Sequence, residues 1–308
     1  MSTNVNKKDF SGIGIRMLAS TAIISLLQLG AQKLALWLFP QWQENFTILL
    51  VVTMVPLYVL GFPIAFALMR DKNAPAIEKH TMTPGQLAIA FLISYGLMQA
   101  GNIIGLLLTT GLGLVKGAPV ENTLLNIVTG GPLWITAIFT VLCAPVFEEI
   151  LFRKLICDRA IKYGEGCAVV LSGLIFGLFH MNFNQFFYAF LLGCFFAFVY
   201  VKTGNLKYTI LLHMIINFFG TVLGVLILSM DQTNPLFLIF TSLYALCVIG
   251  MVIAGIVLFF VNRRRMTLKP GEIVIEKGQR FRTVILNVGM LLFCLIMLGI
   301  MLAQAFVL

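Results

Sequence analysis

A small set of polar side chains lies inside long apolar runs of this sequence, and their types are those that activate water. Glu148 and Glu149 occur in Pro145-Val146-Phe147-Glu148-Glu149-Ile150-Leu151-Phe152-Arg153, His180 closes Phe176-Gly177-Leu178-Phe179-His180, and His213-Met214-Ile215-Ile216-Asn217 joins an imidazole to a carboxamide. An ionisable group within a membrane-spanning run costs several kcal/mol, so one retained there points to function. Helical geometry sorts the groups. Glu149 and Arg153 stand at i,i+4 with the acid first, the favourable order for an ion pair, so Arg153 is expected to neutralise Glu149. Glu148 projects about 100° away and is left for another partner. Pro145 has no N–H for the carbonyl of Val141 and should loosen the helix one turn before the acids, which suits a hydrated cavity. His213 and Asn217 share a helix face, and each can donate to an oxyanion. Phe176 and His180 share another face, with Gly173 and Gly177 admitting a neighbouring helix. A carboxylate, two imidazoles and an amide converging in a bundle can activate water and stabilise a tetrahedral intermediate, which is hydrolytic chemistry. A lone intramembrane His or Asn is often interhelical glue, and an acid pair near a helix end can be a snorkelling cluster. Two of only three histidines coincide here with the acid pair, which argues against a purely structural reading of the set.

The elements that must position these groups follow from composition. The chain is 60% hydrophobic and 11% charged, whereas soluble domains run near 45–50% apolar and about 25% charged. A water-soluble fold is excluded. Apolar runs near 15–39, 46–69, 85–110, 133–152, 166–181, 184–201, 208–229, 236–261 and 284–307 predict an all-α, polytopic transmembrane helical bundle of about eight or nine spans, forming one domain over 1–308. With the amino terminus cytoplasmic, Lys7, Lys8, Arg70, Lys72, Lys79, Arg153, Lys154, Arg159, Lys162, Lys202, Lys207 and the Arg263–Arg282 group fall on the inner side, and the outer connections hold only Lys116. That asymmetry fixes the orientation, so the net charge of +9 reports topology rather than nucleic-acid binding. The first run is too long for a cleaved signal and reads as a retained helix, and the expected address is the cell (plasma) membrane. The six cysteines form no CxxC pair and read as packing residues. Thr203-Gly204-Asn205 and Asp231–Pro235 mark hairpin turns. The polar stretch 262–283 reads as a basic, solvated cytoplasmic loop, with Glu272–Glu276 alternating like a short strand. Gly111, Gly113, Gly117, Gly130 and Gly131 loosen the connection after the third run, where a re-entrant piece would fit.

These residues resemble the motifs of the CAAX protease and bacteriocin-processing (CPBP) family of intramembrane endopeptidases, which includes the Ras-converting type of CAAX prenyl protease. EExxxR is matched by Glu148, Glu149 and Arg153, FxxxH by Phe176 and His180, and HxxxN by His213 and Asn217, in order, over a core of roughly 133–225. The resemblance implies that Glu148 and His180 activate the attacking water and that His213 and Asn217 stabilise the oxyanion, with Glu149, Arg153 and Phe176 in support. Members are often labelled metallopeptidases, yet the motifs are compatible with a glutamate-dependent mechanism, and HExxH is absent. The cofactor is open: none is demanded, and a divalent metal such as zinc would take Glu148, His180 and His213. The implied partners are the lipid bilayer and a membrane-anchored protein or peptide substrate, with no requirement for prenylation indicated. A non-catalytic bacteriocin-immunity or partner protein is the alternative, and a proton-coupled transporter a third, although no inverted repeat is visible. One expectation conflicts with the rest: His213 lies about 8 Å into its span and His180 about 20 Å into its own, so a flat bundle would separate them.

Overall fold

The computed structural model describes residues 2–122 and 130–306, and the expected re-entrant piece falls largely on 123–129, outside the described residues. The chain is an integral, multi-pass membrane protein with eight helices long and apolar enough to cross a bilayer among the described residues. These are α1 (Ser2–Leu38), α2 (Phe46–Met69), α3 (Pro84–Lys116), α4 (Leu133–Tyr163), α6 (Phe183–Thr203), α7 (Leu206–Ile227), α8 (Pro235–Asn262) and α9 (Val288–Phe306). Between α4 and α6 lies α5 (Glu165–Phe179), whose 15 residues reach only about 22 Å, short of a hydrocarbon core of about 30 Å. No strand occurs among the described residues, apart from an isolated bridge joining Gly164 to Pro270.

Three expectations change. Gly111 and Gly113 lie inside α3, which runs on to Lys116 and ends at Gly117 in the left-handed region (φ 77°). The 262–283 stretch is exposed over most of its length but is tethered rather than free, since Ile275 is buried, the Ile273 amide donates to the Lys162 carbonyl (2.9 Å) and the Lys269 amide to Glu165 (2.7 Å). Backbone groups of this segment find acceptors on the end of α4 and the start of α5, which holds it against the bundle. Finally, the fourth span does not end at 152. Arg153 is completely buried, and α4 continues to Tyr163, because a guanidinium already neutralised by Glu149 has no need of the interface.

The basic connections gather at one end. Lys162 pairs with Asp9 (2.6 Å), Arg159 donates to the carbonyls of Met69 (2.8 Å) and Arg70 (3.1 Å), Lys202 pairs with Glu165, and the His80 amide donates to the Thr203 carbonyl (2.8 Å). The turn at Thr203-Gly204-Asn205 closes as expected, with Gly204 at φ 58°.

Small residues set the closest crossings, as in membranes where packing rather than hydrophobicity drives association. A side chain added at Gly173 of α5 would strike Cys194 of α6, and one added at Gly193 would meet Gly173 Cα at 2.9 Å. Gly14 of α1 and Gly289 of α9 touch backbone to backbone. By contrast α8 turns a broad apolar face outward, with Leu238 71% and Val261 69% exposed, a lipid-facing surface, while Val248, Met251, Val252, Leu258 and Phe259 pack inward.

Candidate active site

Helices α2, α4, α5, α6 and α7 line a cavity of about 180 Å³ whose wall includes Glu148, His180, His213 and Asn217. The depth conflict between His213 and His180 does not separate them: α5 is only 15 residues long and stops at His180 inside the bundle, and both imidazoles line the same cavity, with Glu148 near the middle of α4. Chain reversal there uses Met181 in the left-handed region (φ 55°), followed by Asn182, whose side chain caps α6 by accepting from the Gln185 amide (2.9 Å).

Beneath the cavity is a closed polar network. Arg153 donates through Nε to Glu149 Oε2 (2.9 Å), through Nη2 to Oε1 (3.1 Å) and through Nη1 to Ser172 Oγ (2.9 Å), while the Ser172 hydroxyl donates to the Phe152 carbonyl (2.8 Å). The guanidinium also lies over the rings of Phe176 (4.6 Å) and Phe196 (5.8 Å), a favourable position for a cation. Glu149 and Arg153 are both fully buried. The i,i+4 spacing thus produces the ion pair it implies, and the fork geometry of Arg makes it bidentate.

Tautomers follow from the partners. His213 Nδ1 lies 3.0 Å from Glu149 Oε1. A carboxylate held by Arg153 accepts only, so Nδ1 carries hydrogen, and in the neutral ring Nε2 keeps a lone pair. That nitrogen faces Glu148 Oε2 at 3.8 Å. His180 Nδ1 lies 2.8 Å from the Phe176 carbonyl, which likewise only accepts, leaving His180 Nε2 as a lone pair. The Phe176 ring stands between the two imidazoles, 4.9 Å from His180 and 5.9 Å from His213, both edge-on.

The effect of Pro145 falls one residue earlier than the α-helical register predicts. Over Ile138–Cys143 the chain is a π helix, in which each carbonyl is served by the N–H five residues on. For Thr140 that residue is Pro145, which has none. The Thr140 carbonyl instead accepts from Asn217 Nδ2 at 2.7 Å. Asn217 therefore has one amide hydrogen engaged and one free.

No three His, Cys, Asp or Glu side chains among the described residues gather closely enough to hold a metal ion. Both histidines offer Nε2, and Glu148 a carboxylate, but as placed they are not a zinc cage.

The residues missed in the sequence are Gln185 and Tyr188, which share the cavity wall with the four above. Asn182, Gln185 and Tyr188 recur every third residue at the start of α6, a polar ladder within an apolar run that was available as a signal.

Comparison with known proteins finds one family model and two relatives. Residues 130–219 match the model of Rce1-like type II CAAX prenyl endopeptidases. That stretch is similar to the core of the CAAX-type membrane endopeptidases. The membrane-embedded CAAX protease MroQ of Staphylococcus aureus (strain USA300) is 27% identical over 167 residues, 51% of this chain and 67% of that protein. The putative membrane peptidase YdiL of Bacillus subtilis (strain 168) is 31% identical over 110 residues, 35% of this chain and 44% of that protein, so the match spans less than half of YdiL. No solved structure matches the chain. The matched residues hold the polar groups of the site from Thr140 to Asn217.

Proposed function

We propose that this CPBP-family chain is an intramembrane endopeptidase that uses Glu148 as the base for a water molecule. One observation carries the reading: Glu148, His180, His213 and Asn217, from α4, α5 and α7, line a single cavity. A water held between Glu148 and the His180 Nε2 lone pair attacks the scissile carbonyl carbon. The new C–O bond forms as the carbonyl π pair moves to oxygen, and the proton of the water passes to Glu148. The free N–H of Asn217 supports the oxyanion. His213 joins it only once Nε2 gains a proton, and Glu148 is the nearby source. Collapse restores the C=O, breaks the C–N bond and delivers the proton to the departing amine, giving one acid and one amine from peptide and water. No step is routed through a metal, for which the donors are not gathered.

Because the matching model and the relative MroQ are named for CAAX proteins, the first substrate to try is a quenched-fluorescence peptide ending in a prenylated cysteine, two aliphatic residues and a terminal residue. A membrane-spanning peptide without a lipid is the second. Wild type in liposomes should cleave at least one of them, and Glu148→Gln should be silent. A Glu148→Gln variant as active as wild type would end this reading.

A further inference from the structure

The donors of the cavity can be counted by following each hydrogen. Asn182 Oδ1 accepts from the Gln185 backbone amide, so the other end of that side chain is the NH2 group. It donates to Gln185 Oε1 at 2.6 Å and to the His180 carbonyl at 2.8 Å. Gln185 Oε1 being an acceptor, Nε2 is the donor, and it meets the Tyr188 phenolic oxygen at 2.7 Å. The phenol oxygen thus accepts, and its own hydrogen is left over. No acceptor for it is present among the described residues. Among the other hydroxyls of the wall, those of Tyr58, Thr140 and Thr221 donate to the carbonyls of Phe139, Thr136 and Asn217, while that of Thr136, which also has no partner, is buried out of reach of solvent.

The ladder has a direction, and it delivers a hydrogen-bond donor to the cavity wall beside His180, whose ring centre is 6.4 Å from that of Tyr188. The backbone beneath is rigid. α3 crosses α6 at this level with Gly101 directly against the Tyr188 backbone, where any side chain would collide. A donor fixed in advance is what stabilises charge developing on a carbonyl oxygen.

We propose that Tyr188 is a further catalytic residue, donating its phenolic hydrogen to the oxyanion alongside Asn217, with Asn182 and Gln185 as positioning residues that keep the hydroxyl turned toward the substrate. The inference rests on the peptidase reading above. In the attack step the electron pair displaced from the C=O bond is received by two neutral donors, one on α6 and one on α7, and neither loses its proton. His213 is thereby free to exchange a proton with Glu148.

Tyr188→Phe removes one oxygen and keeps the ring, so folding is checked by an unchanged melting temperature in detergent. With the fluorogenic peptides, kcat should fall about 10²-fold while KM holds. Affinity for a peptidyl phosphinate, a mimic of the tetrahedral species, should fall by a similar factor while affinity for the uncleavable ground-state amide does not. Gln185→Leu should cost less, and Tyr188→Phe/Gln185→Leu no more than Tyr188→Phe alone, because Gln185 acts through the phenol. If Tyr188→Phe turns over like wild type while Glu148→Gln is silent, the tyrosine is only a wall residue and the peptidase reading survives. A loss confined to KM would also overturn the role. If Glu148→Gln is undiminished as well, both readings fall together.

Discussion

Glu148 and Glu149 are neighbours in sequence and of one chemical type, yet they belong to two regions built on opposite terms. Around Glu149 the polar groups are matched: Arg153 takes both carboxylate oxygens, Ser172 takes a third guanidinium N–H, and His213 Nδ1 completes the set. Around Glu148 the groups are left with capacity: lone pairs on His180 and His213 Nε2, an amide hydrogen on Asn217 and a phenolic hydrogen on Tyr188. A buried network with every member satisfied specifies structure, whereas buried polar groups without partners are costly and are kept where a ligand will meet them. The contrast teaches that about 100° of helix rotation separates a structural acid from a reactive one. His213 touches both regions and is the hinge of the comparison.

The largest expected effect tests the reactive side. Glu148→Gln should lower kcat by about 10²–10⁴-fold, the range for losing a general base, with no loss of thermal stability. Were it to unfold the protein instead, Glu148 would belong with the structural group and the division would fail.

Next comes the structural side. Arg153→Met leaves Glu149 buried without its counter-charge and should cost roughly 3–5 kcal/mol, read as a fall in melting temperature and in folded yield. Replacing the pair together, Glu149→Leu with Arg153→Met, should recover most of the stability, since a well-packed apolar pair removes the stranded charge. It should not recover turnover, because His213 Nδ1 then has no carboxylate to hold the ring. Full activity in that double variant would show that the imidazole needs no orientation by Glu149.

Asn217 comes third and spans both sides, one hydrogen holding Thr140 and the other free. Asn217→Ala should reduce kcat about 10²-fold as an oxyanion donor is lost. It should also remove about 1–2 kcal/mol of stability as the Thr140 carbonyl loses its partner. A fall in kcat/KM matched by an equal rise in KM, with kcat intact, would place Asn217 in substrate binding rather than in the transition state.

The sequence made the division between the two acids legible, because the i,i+4 step to Arg153 and the 3.6-residue period are local facts. It also made the bundle legible, since each apolar run of adequate length became a helix. The features it concealed depend on where helices stop and on hydrogen-bond register. The polar residues from Ala144 to Leu155 are the two acids, Arg153 and the adjacent Lys154, so a buried arginine next to an exposed lysine reads as an interfacial one. The end of α5 is marked by no glycine or proline, only by Met181 in an unusual backbone conformation. The π register before Pro145, which moves the orphaned carbonyl from Val141 to Thr140, leaves no signature in residue types. Tyr188 sits among phenylalanines and reads as packing until its neighbours' hydrogens are followed.

The smallest expected effect is at Ser172, which sits farther from the cavity but touches the residue that holds Glu149. Its hydroxyl accepts from Arg153 Nη1 and donates to the Phe152 carbonyl, tying α5 to α4 one turn below Phe176. Ser172→Ala leaves a guanidinium hydrogen buried without an acceptor, and should cost about 1–3 kcal/mol, measured as a melting shift in detergent. Glu149 keeps both of its bonds from Arg153, so His213 keeps its orientation and kcat should change little. Ser172→Thr retains the oxygen and should recover stability only if its methyl group fits, a condition set by the tight α4–α5 packing. A Ser172→Ala protein that melts like wild type yet has lost most of its turnover would mean that the matched network does more than hold the fold, and the two regions would have to be treated as one catalytic unit.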